Sequence, residues 1–404
     1  MTLSAAGTPD FRDPAPRGLC TDCGVSRMKD PSVCGKACQF IKPDYPALEK
    51  QVHGRWASDE GDERFFGVSP KMYRAALTPA RTGAQWTGLT TRLAEQLLES
   101  GAVDAVLTMV PDSQDKWRPR PAIITDPADL VHARGMRMGY APLLALLEPA
   151  NDAGHKRIAV IGIPCQVYAL RALEASLGFE RIYVIGTPCS DNTTTENFHG
   201  FLALLTDAPE TVTYLEFRAD YHVELRFADG SQRVIPFLKL PLSDLPDDFF
   251  PVTCRTCVDY TNRLADITVG YMAGEGDQWL IVRNARGQEM LDGLAGEVTL
   301  ATPGSRGKRA GSVRGFVANT KLAAGGLPLR RMPEWLRGIM AWLMPRIGPR
   351  GLEFARARVE MKAAETILHL RREEPAKMKN MVPAHVWNLA KPYDLQPLDG
   401  EQKD

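Results

Sequence analysis

Lys156-Arg-Ile-Ala-Val-Ile-Gly-Ile-Pro-Cys165 and Arg181-Ile-Tyr-Val-Ile-Gly-Thr-Pro-Cys189 are the two stretches that decide the fold. Each is a short apolar, β-branched run that ends in glycine and is followed by a proline and a cysteine. Such runs suit strands buried on both faces. Gln166–Leu177 between them has helical spacing, and a second helix is expected around Glu196–Leu205. Strands alternating with helices predict a parallel α/β sheet. Neighbouring parallel strands would set Cys165 and Cys189 on one sheet edge, just past the strand ends where open α/β sheets collect ligands.

Working outward, Gly88–Ser100 reads as a helix ending at Gly101, and Val103–Val110 as another buried strand. Tyr221–Phe237 holds two alternating strands around Asp229-Gly230, the signal of a β-hairpin. Ala265–Tyr271 and Trp279–Arg283 are further strands, followed by a helix from about Gln288 and a strand near Val298. From Pro333 the chain reads as helical, and Gly351–Arg372 is a long amphipathic helix with a charged face. The expected fold is α/β, with a mixed, largely parallel sheet core and a helical C-terminal region.

The 404 residues suit two or three domains. Lys plus Arg equals Asp plus Glu at 49 each, so the basic surplus of a nucleic-acid binder is absent and no such partner is expected. No run of about eighteen apolar residues occurs, so no membrane span is expected. Trp335–Ile347 is interrupted by Arg337, Pro345 and Arg346. It reads as an amphipathic helix on the core, with contact to a membrane surface or an apolar partner as the other reading. The first eighteen residues lack an apolar stretch of signal-peptide length, which predicts a cytoplasmic protein with a disordered lead-in. In a reducing compartment, grouped cysteines read as metal ligands or redox centres.

The eight cysteines fall into two sets of four. Cys20, Cys23, Cys34 and Cys38 crowd one short segment. The set is not the bacterial ferredoxin run, because Ser26 stands at the third cysteine's position and Gln39 follows the last one. Two clusters in series, or a structural zinc knuckle, both fit it. Cys254-x2-Cys257 offers two thiolates from a loop. Cys165 and Cys189 would complete four-thiolate ligation of a [4Fe–4S] cluster or zinc. The alternative is a pair of ordinary buried thiols beside a zinc or empty C-x2-C loop.

Gly162-Ile-Pro-Cys-Gln-Val-Tyr-Ala-Leu-Arg171, and the run from Cys254 to Gly270, resemble elements of the coenzyme F420 hydrogenase beta-subunit superfamily. Gly83-Ala-Gln-Trp-Thr-Gly88, Val184–Asn192, Glu216–Tyr221 and Gly348–Arg356 are similar to the ferredoxin-dependent divinyl (proto)chlorophyllide 8-vinyl reductases, and to the 7-hydroxymethyl chlorophyll a reductases. The resemblance runs from Cys20 to about Lys391. It implies FAD and two [4Fe–4S] clusters, one on Cys165, Cys189, Cys254 and Cys257, the other on Cys20, Cys23, Cys34 and Cys38. Cys34 would substitute for the third cysteine that Ser26 replaces. Gly135–Pro142 is diverged, which would mark a different substrate surface.

On this reading the chain divides into a lead-in (1–18), an iron–sulfur segment (19–60) and a flavin-binding α/β part (61–150). A cluster and flavin core with the hairpin (151–325), a helical region (326–391) and a loose tail (392–404) follow. Gly83–Gly88 opens a helix whose N–H groups suit a pyrophosphate, making Gln85, Thr87 and Gly88 flavin candidates. It is not a dinucleotide fingerprint, and Thr87 as a plain cap is the competing reading. Gly270, Tyr271 and Met272 would flank the flavin ring, and Arg283 and Asn284 would reach phosphate or ring carbonyls. Asp220, Tyr221, His222 and Asp259 are proton-donor candidates. The implied partners are reduced ferredoxin and a tetrapyrrole, divinyl chlorophyllide or protochlorophyllide, with a homo-oligomer left open. The activity implied first is reduction of the 8-vinyl group. A 7-hydroxymethyl reductase, an F420-linked hydrogenase or dehydrogenase subunit, and a zinc-stabilised binding module are the alternatives.

Overall fold

The computed structural model describes residues 19–218, 220–270, 278–327, 329 and 331–402. The lead-in 1–18 and the candidates Tyr271 and Met272 lie outside the described residues.

The main sheet has eight strands. They are β1 (Lys71–Leu77), β2 (Ala105–Pro111), β3 (Pro119–Ile124), β4 (Arg157–Gly162), β5 (Arg181–Gly186), β9 (Ile267–Gly270), β10 (Gln278–Val282) and β11 (Val298–Ala301). A separate antiparallel sheet holds β6 (Val212–Arg218), β7 (His222–Phe227) and β8 (Gln232–Pro236). The order of the main sheet is β11-β1-β10-β9-β5-β4-β2-β3. Its centre, β9-β5-β4-β2, is parallel, and the pairings on both flanks are antiparallel. The centre is buried on both faces: Ile158, Val160, Val184, Ile185 and Ile267 are all inaccessible to water, as continuous apolar runs require. β3 carries Pro119 and Pro121, which cannot donate to a ladder, and it stands at the sheet edge.

The register explains the cysteine placement. Gly162 pairs with Gly186 at the ends of β4 and β5, and each is followed three residues later by a cysteine. The C-x2-C segment leads over this edge into β9, which pairs with β5. A Cβ at Gly186 would stand 2.6 Å from Ala265 Cβ and 2.7 Å from Asn262 Cγ, and one at Gly270 would stand 2.4 Å from Pro188 Cγ. Only glycine lets these loops approach the strand ends so closely.

Two departures from expectation bear on the site. The long helix Leu352–Glu373 was expected to present a charged face, yet it is sunk into the core, with Ala364, Ile367 and Leu370 packed near Phe66 and Trp279. Its Glu360, Lys362 and Glu365 are buried as well. Burial of such groups is tolerated because they are paired with one another and with neighbouring elements. The tail is not loose up to 402. Tyr393 and Leu395 are buried, and Arg371 grips Glu401 at 2.7 Å.

Candidate functional site

The four cysteines of the middle set converge. Cys165, Cys189, Cys254 and Cys257 line one small, partly enclosed cavity, with Thr21, Phe40 and Tyr140 among the rest of its wall. Cys165 lies in the first turn of the helix Pro164–Leu173 and Cys254 in the short helix Val252–Arg255. The Cys189 N–H donates to the Tyr260 carbonyl at 3.0 Å, which ties the β5 loop to the C-x2-C loop. Asn262 crosses between them, its amide donating to the carbonyls of Gly162 (2.8 Å) and Thr187 (3.3 Å).

The long helix clamps the C-x2-C loop from the other side. Lys362 Nζ donates to the Cys254 carbonyl at 2.5 Å, and the Thr366 hydroxyl to the Cys257 carbonyl at 2.8 Å. Lys362 also pairs with Asp191 (2.7 Å) and Glu365 (2.9 Å), and Arg358 reaches Ser190 at 2.6 Å. Lys362, Asp191 and Glu365 were not anticipated from sequence. The signal available was the polar Ser190-Asp191-Asn192 run directly after a cysteine.

Burial pushes all four thiols up, Cys257 to about 12, and each other's charge adds to the rise at Cys165 and Cys189. The Lys362 ammonium pulls Cys189, Cys254 and Cys257 back. Four thiolates here therefore need a positive centre among them, which ligation to iron supplies. Donors already point at the sulfurs. The Asn192 N–H lies 3.4 Å and the Tyr140 hydroxyl 3.5 Å from Cys254 Sγ, and the Gln39 amide lies 3.6 Å from Cys257 Sγ. Such donors tune a thiolate-ligated cluster. Among the described residues no three Cys, His, Asp or Glu side chains are drawn together tightly enough to grip a single ion; the cysteines ring a cavity instead. The donor set fits a four-thiolate cluster.

The N-terminal set adjoins it. Cys23 is pushed up to about 12 by burial, with the charges of Cys38, Cys34 and Cys20 adding to the rise. Cys34 opens the short helix Cys34–Ala37 and packs, like Cys23, against one apolar cluster, and Ser26 sits in the turn Val25–Arg27. This segment is pinned where the Leu144 N–H donates to the Cys23 carbonyl at 2.9 Å, and a Cβ at Gly24 would strike Ala145 N at 2.4 Å. The two segments share a wall: Thr21 and Phe40, from the N-terminal segment, line the cavity of the middle cysteines. Tyr45 donates to Gln39 at 2.7 Å and so aims the Gln39 amide at Cys257.

The flavin candidates divide. Gly83, Trp86 and Gly88 all have positive φ, so the Gly83–Gly88 loop is strained at Trp86, where an ordinary side chain occupies left-handed backbone. The Thr87 hydroxyl donates to Gln278 Oε1 at 2.7 Å and accepts from the Leu77 N–H, while the Leu89 N–H at the helix start also goes to Gln278. These groups serve the join between loop and β10, and Gln85 stays half-exposed. Arg283 is wholly buried, and its guanidinium donates to Thr268 and to the carbonyls of Phe66, Val68 and Thr261. Asn284 caps the helix Ala285–Asp292 and holds Asp266 at 2.7 Å. Both hold the architecture under the C-x2-C loop and aim no donor at an open space. Gly270 lies against Pro188 beside Cys189.

Of the proton-donor candidates, Asp220, Tyr221 and His222 come together where β6 turns into β7. Asp220 is paired with Arg218 at 2.7 Å, and Tyr221 donates to the Pro349 carbonyl at 2.7 Å. Asp259 is separate, buried in the C-x2-C loop. One of its oxygens accepts from the Arg263 N–H, the other has no hydrogen-bond partner, and burial raises its pKa from the ordinary value.

A half-parallel sheet bearing paired cysteine loops at its strand ends, joined to a cysteine-rich N-terminal segment, defines an oxidoreductase scaffold. The family models for the N-terminal and C-terminal parts of the coenzyme F420 hydrogenase/dehydrogenase beta subunit match residues 72–148 and 155–304. The chain belongs to that family. It is 35% identical over 389 residues to the 7-hydroxymethyl chlorophyll a reductase of Oryza sativa, covering 93% of this chain and 82% of that one. It is 37% identical to an uncharacterized protein of Nostoc, with 96% of both chains aligned. The F420-reducing [NiFe] hydrogenase complex of Methanosarcina barkeri contains a chain of the same fold, with a TM-score of 0.53 and 20% identity over 59% of this chain and 83% of that one. Among the described residues no helix is long and apolar enough to cross a membrane.

Proposed function

We propose that this chain is a ferredoxin-dependent reductase of a chlorophyll-type tetrapyrrole, with the 8-vinyl group of divinyl (proto)chlorophyllide as its target. The observation that carries the redox reading is that the segment bearing the N-terminal cysteines walls the cavity of the middle four, through Thr21 and Phe40, and brings the Gln39 amide to 3.6 Å from Cys257 Sγ. When bound, two [4Fe–4S] clusters would supply single-electron transfer and FAD would store two electrons for delivery as hydride. The chain's own residues hold the sulfurs, set a buried cation beneath them through Lys362, and shield the site with Phe40 and Tyr140. Asp220 and His222 stand together at a half-buried turn, where a proton can be passed to substrate.

The near full-length similarity to a 7-hydroxymethyl chlorophyll a reductase supports a chlorophyll-type substrate. It also favours a second reading, in which a hydroxyl is removed from the same ring system. An anaerobic assay of the cluster-loaded chain with FAD and reduced ferredoxin, offering each pigment separately, tests both. Conversion of the divinyl pigment alone supports the first reading, and conversion of the hydroxymethyl pigment alone replaces it with the second. Zinc in place of iron and acid-labile sulfide would overturn both.

A further inference from the structure

The helix Glu334–Ile347 lies against the turn Phe237–Lys239. Arg337 fixes it there, donating to the carbonyls of Leu238 (3.2 Å) and Leu240 (2.5 Å) and to Ser243 Oγ (3.2 Å). Of the whole helix only Ala341 is buried. Trp335, Ile339, Trp342 and Arg346 follow at i, i+4, i+7 and i+11, so they share one face. Trp335 is 69% exposed, Trp342 59%, Ile339 52% and Ile347 62%. Scattered exposed apolar residues are ordinary, but two tryptophans and an isoleucine aligned on one helix face mark an interaction site.

The charge around this face says what covers it. In a chain of zero net charge, residues 331–350 carry four arginines and one glutamate. Arg331, Arg346 and Lys239 are exposed there, with Glu334 the exposed acid on the helix. Asp244 is exposed on the turn that Arg337 grips. Arg346 stacks over the Trp342 ring at 4.3 Å. Tryptophan beside arginine suits the headgroup level of a bilayer, where the ring is half in apolar surroundings and the cation meets phosphate. A helix of 14 residues is about 21 Å long, too short to span a membrane but long enough to lie along its surface. A second copy of the chain would bring the same positive rim against this one, which opposes self-association through this face.

We infer that this helix docks the protein on an anionic lipid bilayer, with Trp335, Ile339 and Trp342 at headgroup depth and Arg331 and Arg346 against lipid phosphates. The surface includes none of the residues that line the cysteine cavity, so iron content and the visible spectrum report on that site independently of docking.

The test uses the full, cluster-loaded chain with vesicles of phosphatidylcholine alone or with phosphatidylglycerol added, scored by co-sedimentation. Binding to the anionic vesicles is expected, at least roughly tenfold tighter than to neutral ones, and weakened by salt. Trp335→Ser with Trp342→Ser should lower that binding roughly tenfold or more, leaving iron content, visible spectrum and unfolding temperature as in the parent. Arg331→Gln with Arg346→Gln should remove the preference for anionic vesicles. Absence of binding by the parent chain, or equal binding by parent and tryptophan variant, overturns the inference. So does a dimer in sedimentation that the tryptophan variant abolishes, which would assign the face to a second copy.

Discussion

Replacing Lys362 by methionine tests the description of the cysteine site most sharply. The ammonium is nearly inaccessible, and it neutralises Asp191 at 2.7 Å and Glu365 at 2.9 Å while bonding the Cys254 carbonyl at 2.5 Å. Burial already holds Asp191 up at about 6 despite this cation, and the neighbouring Glu365 charge adds to the rise. Methionine fills the space but takes the ammonium from between Glu365 and Asp191, leaving Asp191 only the more distant Arg358 charge, and leaves one carbonyl without its donor. Removing one member of a buried ion pair costs about 3–5 kcal/mol. For a cooperative unit of this length that is roughly 4–6 °C in Tm. The assay is anaerobic thermal or urea unfolding of the loaded chain, with K362M compared to K362M/D191N/E365Q. The triple variant carries no orphaned charge and should recover most of the loss. A loss below about 1 kcal/mol in K362M, or no recovery in the triple variant, would refute the buried triad as the cause.

Three further outcomes are expected. His53 is held down at about 3 by burial, its Nε2 donating to the Arg263 carbonyl (2.9 Å) and its Nδ1 accepting from Asn284 (3.2 Å); the unfolded chain therefore binds the extra proton below about 6.5, and stability is full above that pH and falls toward pH 3. His53→Gln, measured by urea unfolding across that window, should flatten part of the acid slope, and an unchanged slope would show that the ring is not buried neutral. Gly186→Ala drives a Cβ to 2.6 Å from Ala265 Cβ. It should cost about 1–3 kcal/mol and lower iron content by displacing the C-x2-C loop, and a fully loaded variant would contradict the close approach. Cys34→Ser and Cys257→Ser should each lose half of the iron and a different paramagnetic signal; loss of the same signal from both would merge the two sites into one.

The centre of the fold was legible because its signals are local. The runs that form β4 and β5 carry their own apolar length, their terminal glycines and their cysteines, and the equivalence of Cys165 with Cys189 follows from the Gly162–Gly186 register. On the flanks β10 and β11 were read as strands, but β1 and β3 were not. β1 pairs with β10, two hundred residues downstream, and its Lys71-Met-Tyr-Arg run shows no continuous apolar stretch. β3 is masked by its two prolines, and β6 was absorbed into the approach to the hairpin. The charged helix misled in a physical way. Charge patterning reports that Lys362 and Glu365 share a side, but it cannot report that Asp191, from a loop far away in sequence, waits there to neutralise them. Arg283 and Asn284 were read as reaching flavin phosphate or ring carbonyls, but their donors turn to backbone carbonyls and Asp266, a choice set by contacts with Phe66 and Val68 that no sequence spacing encodes.

Thr21 and Phe40 belong to the N-terminal segment and yet form part of the wall around the middle cysteines. That shared wall makes the integrity of the middle site depend on how the N-terminal segment is docked. A chain cleaved or loosened within residues 19–45 would leave Cys165, Cys189, Cys254 and Cys257 with one side of their cavity open.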